Sequence, residues 1–592
     1  MKWDNAKPYD NLTVGPTIKD IDNLIDHGCK DNANMQENPE TAHKYVADFA
    51  TKQYALLKIL TGEQAEAHMN AYLHVHDAEY LYARPINCLQ HDLRFFIKYG
   101  LKVDGTGLHT SVAGPARKLP VLINQIGQAM GAGQANCSGG QGLAAMNTFM
   151  SPFVCGMEYD EIKQNMQSFI YNLNQAYVSR GGQSIFSSVN LDFNIPNWLL
   201  EETAYGPYGK SVGFYGDYQD EADQILLAFT EVMLDGDYYK KPFLFPNTVY
   251  RVEGKPDSEL LDKVSELSAK FSIPYYSKTV NGEEYHTVMG CRTRLNSNWT
   301  EDPNLDCLRT GNLAYISLNL PRYALKGNFY DELDKALRIA TGILLMRRAR
   351  AEKLMNKGMM PFLNQEDEYG DKYYRLDNAT LSFGVVGLSD CVRVISGSGL
   401  DDEENQKLGM EILEYINEFA QQLVKSNGYR WTVLGSPAES TAHRFAMEDR
   451  RKYRDRARVH GTTGGYYYTN STHCDVDADI HFIQKIKREQ DYHKLTSGGH
   501  IFHGWLGEGW TTKESVCNLT NKIIDNSNLG FWTITNAYSF CTSENKMLKG
   551  IQNECPDCDG DTEVYDRITG YLQKISGWNK GKQEEFKDRK RF

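Results

Sequence analysis

The chain has 592 residues, 41% of them apolar and 24% charged, with a formal net charge of -13 at pH 7. That length suits one large body or about four domain-sized units, and that composition suits a globular protein rather than a disordered or fibrous one. The acidic balance excludes a protein that coats nucleic acid, which needs a basic field to displace counterions, but leaves room for nucleotides in local pockets.

In chain order, residues 1–20 are polar and hold no apolar core of signal-peptide length, and no apolar run is long enough to span a bilayer, so no membrane contact and a cytoplasmic location are predicted. In such a reducing compartment most of the twelve cysteines read as small buried groups, not disulfides. Helices are predicted over 41–70, 156–180, 219–234 and 256–271. Two further stripes at helical spacing follow, Leu333, Ala336, Leu337, Ala340, Ile343 and Leu344, then Ile412, Tyr415, Ile416, Phe419 and Leu423. Between them the short apolar runs 313–320, 381–388 and 430–435 suit strands buried on both faces. This alternation predicts an α/β body with a largely parallel sheet or barrel. Glycine-rich patches at 128–142 and 460–466 are either flexible loops or backbone-lined anion sites, and neither is a P-loop. After about residue 535 the chain changes to short irregular runs rich in Cys, Gly, Lys and Asp.

Several segments could carry chemistry. Near the C-terminus stands Arg567-Ile568-Thr569-Gly570-Tyr571-Leu572. Alone, Gly570 would be a turn residue. Without a Cβ, however, a glycine backbone can also flatten around a Cα radical shared between its amide nitrogen and carbonyl. Mid-chain, Met289-Gly290-Cys291-Arg292-Thr293 places a cysteine between small and polar neighbours, and S–H and glycyl Cα–H bonds are close enough in strength to exchange hydrogen almost thermoneutrally. His74 and His76 alternate on a short segment as hydrogen-bonded structural histidines do. Asn312 alone is a turn or strand-entry residue. Ser436-Pro437-Ala438-Glu439 reads as a helix start with Ser436 as cap, leaving free N–H groups that suit an anion. Cys555 and Cys558 form a CxxC knuckle with Cys541 fourteen residues upstream, three thiolates suited to a structural Zn²⁺.

Taken together and in this order, the Arg-Ile-x-Gly-Tyr and Met-Gly-Cys-Arg segments resemble the anaerobic, class III ribonucleotide reductases of the glycyl radical enzyme family. So do His74-Val-His76-Asp77 with Asn87-Cys88, Asn312-Leu313, 318–322, 436–439, 468–471 and 496–500. The resemblance covers roughly residues 65–592. It implies a ten-stranded α/β barrel with N-terminal helices and a small C-terminal segment. The units would be residues 1–65 (helical, with no ATP cone), 66–535 (the barrel with dimer and effector helices) and 536–592 (the zinc-like and glycyl radical segment). It implies reduction of ribonucleoside triphosphates to deoxyribonucleoside triphosphates. A glycyl radical on Gly570 would make Cys291 a thiyl that takes the substrate's 3′-hydrogen, Cys88 would donate hydrogen from the opposite face, Asn312 would hold polar groups, and formate would be the reductant. Substrate would meet His74, His76, Ser436, Ala438, Glu439, Gly498, Gly499 and His500, with its phosphates at 436–439. Gln128, Gln134 and Gln141 lie in the region matching the dNTP or ATP effector site. Implied partners are a radical S-adenosylmethionine activating enzyme with a 4Fe–4S cluster and a second copy of the chain. The family's second CxxC pair is broken, with Glu at 544 and Tyr at 538, so the zinc's fourth ligand is Glu544, a nearby His, or missing. Two rival readings are a glycyl radical lyase or dehydratase, disfavoured because Cys291 has no adjacent cysteine, and a zinc-knuckle nucleic-acid-binding protein, disfavoured by the acidic balance.

Overall fold

The computed structural model describes residues 38–176, 182–280, 282–290, 292–507 and 512–592, so Cys291 lies outside the described residues. The periodic stripes fold as the helices Tyr159–Gln175, Gln219–Asp235, Ser258–Phe271, Phe329–Asn356 and Gln406–Asn427, and each buries its apolar side. The helix expected over 41–70 is instead broken in two. Pro39–Tyr54 runs into a π-turn, Ala55–Ile59, Leu60 is extended, and Gly62–Met69 starts afresh. The break has a local cause: Gln64 N donates to Thr61 Oγ1 at 3.3 Å while Thr61 N donates to Gln64 Oε1 at 3.0 Å, a reciprocal capping box.

Two sheets hold the core. A four-stranded sheet orders Leu73–Val75, Asn312–Asn319, Thr380–Val386 and Arg430–Gly435, the first pair antiparallel and the others parallel. Its last three strands are the apolar runs of the sequence, buried almost throughout, as strands covered on both faces must be. The run 381–388 ends early because Gly387 turns left-handed and starts the helix Leu388–Ser396. A seven-stranded sheet orders Phe502–Trp505, Phe531–Thr535, Tyr275–Lys278, Asn247–Val252, Ser187–Asp192, Gln141–Leu143 and Leu89–His91. It is parallel except where Phe531–Thr535 meets Tyr275–Lys278.

The fold is therefore mixed α/β, and its core strands lie in these two sheets, with the ten-stranded ladder that was expected not continuous between them. At one seam Gly498 N donates to Val433 O and Gly435 N to Gly499 O, both at 2.8 Å. At the other, Asn87 N donates to Leu313 O at 2.8 Å, Cys88 N to Asn312 O at 3.0 Å and Gln90 N to Thr310 O at 2.8 Å. Irregular backbone interrupts the ladder at both places: the register shifts between Asn312 and Ala314, and Gly499 has a φ of +134°.

Inside lies an antiparallel hairpin, His286–Met289 and Thr293–Asn296. Asn190 grips its first arm, accepting from Val288 N at 2.9 Å and donating to Val288 O at 2.8 Å, while Gly290 N donates to Ser188 Oγ at 2.8 Å. On the other arm Arg294 N donates to Gly498 O at 2.9 Å. Beyond residue 535 a four-stranded antiparallel sheet orders Lys546–Lys549, Tyr538–Cys541, Thr562–Arg567 and Leu572–Lys574, followed by the helix Lys580–Asp588. Gly570 sits, buried, in the turn joining the last two strands, where Ile568 N donates to Tyr571 O at 3.1 Å.

Candidate active site

A cavity of about 230 Å³ lies where the two sheets, the inner hairpin and the C-terminal turn converge, just under the roughly 300–1,000 Å³ usual for ligand pockets. Its wall includes Cys88, Asn87, Gly290, Arg292, Glu439 and Tyr571. Chain neighbours of both position 291 and Gly570 thus face one space together with Cys88. Residues separated by hundreds of positions in the sequence meet there because the hairpin and the C-terminal turn both reach the same wall.

Cys88 Sγ donates to Asn87 Oδ1 at 2.6 Å, and Asn87 Nδ2 donates to Asp77 Oδ2 at 3.0 Å, an oxygen that also accepts from Ser138 Oγ at 3.0 Å. The thiol is therefore aimed by a chain that ends on a carboxylate. Asn312 stands one rung away, its backbone oxygen accepting from Cys88 N, but its amide nitrogen is turned to Ser382 Oγ at 2.8 Å and Thr380 Oγ1 at 3.0 Å. Its side-chain oxygen is buried with no hydrogen-bond partner.

Arg292 is 2% exposed and ties the hairpin to the 436–439 loop, donating from one guanidinium nitrogen to Ser436 O at 2.8 Å, to Gly435 O at 3.3 Å and to Ser471 Oγ. Ser436 does not cap a helix. Its hydroxyl pairs with that of Ser317, and the helix starts three residues later, as Glu439–Tyr453 with Ala438 at the N-cap position. Tertiary contact has taken the oxygen that local capping would have used. Ser317 also meets His76 Nε2 at 2.7 Å, so His76 reaches the loop through two hydroxyls, while His74 Nδ1 meets Arg444 at 3.1 Å. Neither histidine is among the residues lining the cavity. Burial is the main force holding both neutral, driving His74 well below the ordinary imidazole value and His76 to about 3.

Gly498 and Gly499 lie on the opposite seam. A Cβ on Gly499 would fall 1.9 Å from Arg292 O, so glycine is required there by close backbone approach to the hairpin. His500 Nε2 bonds the Thr472 hydroxyl, its ring lies 4.1 Å from that of His493, and burial pushes its pKa well down.

Glu439 joins the cavity to the C-terminal turn. Thr569 Oγ1 donates to its Oε1 at 3.0 Å and the Tyr571 hydroxyl to its Oε2 at 3.1 Å, so the residues on both sides of Gly570 hang from one carboxylate. Burial raises its pKa, against those bonds and the Lys582 charge. Tyr275 donates to the Gly570 carbonyl itself. Asn87, Arg292 and Tyr275 carry no role in the sequence reading. Asn87 and Arg292 adjoin Cys88 and Cys291 in the sequence, and that adjacency is a signal, whereas Tyr275 is one aromatic in an ordinary strand and gives none.

The three glutamines do not share a surface. Gln128 is exposed on the helix Leu119–Asn136, whereas Gln134 and Gln141 are fully buried. The latter two donate to Gly139 O at 3.1 and 3.4 Å, and Gln141 also meets His91 Nε2 at 3.1 Å. Those bonds brace the turn under the cavity.

The sulfurs of Cys541, Cys555 and Cys558 all lie within 4.8 Å of one another, with Cys541 and Cys558 3.6 Å apart, a spacing that fits corners of a tetrahedral thiolate site. Glu544 contributes a backbone N–H to Cys541 Sγ at 3.3 Å, and this bond leads the influences that lower that thiol's pKa. Among the described residues no carboxylate or imidazole joins the three sulfurs. No helix of the described residues is long and apolar enough to cross a membrane.

The model of the family described as anaerobic ribonucleoside-triphosphate reductase matches residues 31–592. The anaerobic ribonucleoside-triphosphate reductase of Haemophilus influenzae is 26% identical over 626 residues, spanning 96% of this chain and 85% of that protein. The anaerobic ribonucleotide reductase from Thermotoga maritima, solved in complex with dATP and CTP, superposes with a TM-score of 0.76 at 20% identity, covering 93% of this chain and 92% of that one. More distantly, the glycerol-bound B12-independent glycerol dehydratase from Clostridium butyricum superposes with a TM-score of 0.62 at 12% identity, covering 98% of this chain and 89% of that one.

Proposed function

Because the chain belongs to the anaerobic ribonucleoside-triphosphate reductase family, and is therefore an oxidoreductase, we propose that it performs the reduction through Gly570 and Cys291 acting across the cavity. The observation that carries this assignment is the meeting of Gly290, Arg292, Cys88 and Tyr571 in one wall. In the scheme, a hydrogen atom moves from the Cys291 thiol to the Gly570 Cα radical, leaving a thiyl that takes the ribonucleotide's 3′-hydrogen. The 2′-hydroxyl leaves as water. Cys88, aimed by Asn87, donates hydrogen from the other face of the ribose, with formate as the final reductant and Asn312, next to Cys88, holding polar groups nearby. The start of the helix Glu439–Tyr453 would receive the substrate phosphates, and a packed wall would exclude solvent that quenches a radical.

The two sheets, read with their seam bonds, support a ten-stranded barrel of Leu89–His91, Gln141–Leu143, Ser187–Asp192, Asn247–Val252, Tyr275–Lys278, Phe531–Thr535, Phe502–Trp505, Arg430–Gly435, Thr380–Val386 and Asn312–Asn319. Cys541, Cys555 and Cys558 would hold a structural Zn²⁺. A cytoplasmic setting suits the free thiols of the described cysteines. A radical S-adenosylmethionine activating enzyme would generate the glycyl radical, and a second copy of the chain would complete the nucleotide effector site, for which Gln128 is the glutamine still open to solvent.

Anaerobic activation followed by electron paramagnetic resonance tests the scheme. A glycyl signal is expected in the wild type and its loss in Gly570→Ala, whereas Cys291→Ala should keep the signal and form no deoxynucleotide. Turnover by Cys291→Ala would remove that cysteine from the mechanism.

A further inference from the structure

Tyr275 opens its strand in the seven-stranded sheet and is 1% exposed. Its ring is held from two directions: Phe531 stacks on it with centroids 5.3 Å apart and planes 12° from parallel, and the Arg567 guanidinium lies 4.1 Å from its centre. Arg567 is itself pinned, donating to Ser272 O, to Ile273 O at 3.3 Å and to Thr535 Oγ1 at 3.3 Å. With the ring held in this way, the hydroxyl donates to the carbonyl oxygen of Gly570.

A radical at a glycine Cα is shared with the adjoining carbonyl. A donor on that oxygen stabilises the form in which electron density sits on oxygen, so it draws spin away from Cα. Resting on the reading that Gly570 carries the radical, we propose that Tyr275 is a positioning residue that tunes it: the hydroxyl holds the Gly570 carbonyl and stabilises the glycyl form against the thiyl form. The exchange it biases is balanced, Gly570 Cα• plus Cys291 S–H giving Gly570 Cα–H plus Cys291 S•. One S–H bond breaks, one C–H bond forms and no charge moves. Because the Arg567 side chain that packs against the ring belongs to the strand leading to Gly570, seating the turn and seating the donor are one event.

The test compares wild type, Tyr275→Phe and protein with fluorinated tyrosine at 275, each activated anaerobically. Phenylalanine keeps the stack on Phe531 and the Arg567 contact while removing the donor, and fluorination keeps the shape while making the hydroxyl a stronger donor. The α-proton hyperfine splitting follows spin density at Cα. It should therefore widen in Tyr275→Phe and narrow with fluorination, and the radical of the Phe variant should decay faster. Identical splittings across the series would overturn the tuning role. Should Tyr275→Phe fail to fold, the fluorinated protein decides alone. Absence of any glycyl signal in the wild type would instead strike the underlying assignment of Gly570, a separate outcome.

Discussion

Replacing Glu439 with alanine should loosen the Gly570 turn from the cavity wall by an amount that can be worked out. The carboxylate accepts from Thr569 at 3.0 Å and from Tyr571 at 3.1 Å, and both donors flank Gly570. Each such bond contributes on the order of 1–2 kcal/mol net, so losing both weakens docking of the turn by about 2–4 kcal/mol, roughly thirty- to several-hundred-fold in the docking equilibrium. The Ile568 amide, bonded to Tyr571 O across the turn, reports that opening in native-state hydrogen exchange, where the rate scales with the open population. Its exchange should accelerate by the same factor in Glu439→Ala and by an intermediate one in Glu439→Gln, which keeps one acceptor oxygen. Amides in the Asn312–Asn319 strand serve as the control. If exchange at Ile568 is unchanged while the control is also unchanged, Glu439 does not hold the turn.

Two further outcomes follow from other parts of the molecule. Burial pushes the Glu489 carboxyl up, but Lys485 at 2.7 Å and His473 at 3.0 Å outweigh it and bring the pKa from 4.5 down to about 2. A depressed carboxylate stabilises fully above its unfolded value, here 4.5, and the contribution fades as pH falls toward 2. The loss is roughly 1.4 kcal/mol per pH unit within that window. Glu489→Gln should cost about 3–5 kcal/mol at neutral pH, because it leaves Lys485 buried without its partner, and should flatten that acid slope in denaturant titrations. An unaltered slope would refute the assignment. For the thiolate trio, metal analysis of the purified protein should find zinc, and Cys555→Ser should lose most of it together with the stability of the sheet Lys546–Lys549, Tyr538–Cys541, Thr562–Arg567 and Leu572–Lys574. Zinc content unaffected by that change would place the ion elsewhere.

Much of this was legible in the sequence where a physical rule is local. The apolar runs 313–320, 381–388 and 430–435 became strands within a residue or two, because a segment covered on both faces admits little else. The break at Leu60 was also legible: Thr61 followed three residues later by Gln64 is a helix-start signature, and the apolar periodicity on either side concealed it. Ser436 misled because a serine before proline favours capping, and only the folded chain shows Ser317 competing for its hydroxyl. Gln134 and Gln141 looked like recognition groups in a glycine-rich patch, yet Gln134 falls on the helix Leu119–Asn136 and both donate to a single backbone oxygen of that patch, that of Gly139. Tyr275 had no local sign, since its importance comes from what lies 295 residues further along the chain.

The contact at Gly499 carries a consequence for how the hairpin keeps its place. Main chain rests on main chain there, with no room for even a methyl group beside Arg292 O. The gap between the hairpin's second arm and the neighbouring seam is thus set by peptide geometry, which is the same for every amino acid, and not by the sizes of particular side chains. Side chains along that arm can change without altering its standoff, much as a shelf stays level whatever is stacked on it. A randomised codon at 499 should accordingly return glycine alone, even where its neighbours accept many replacements.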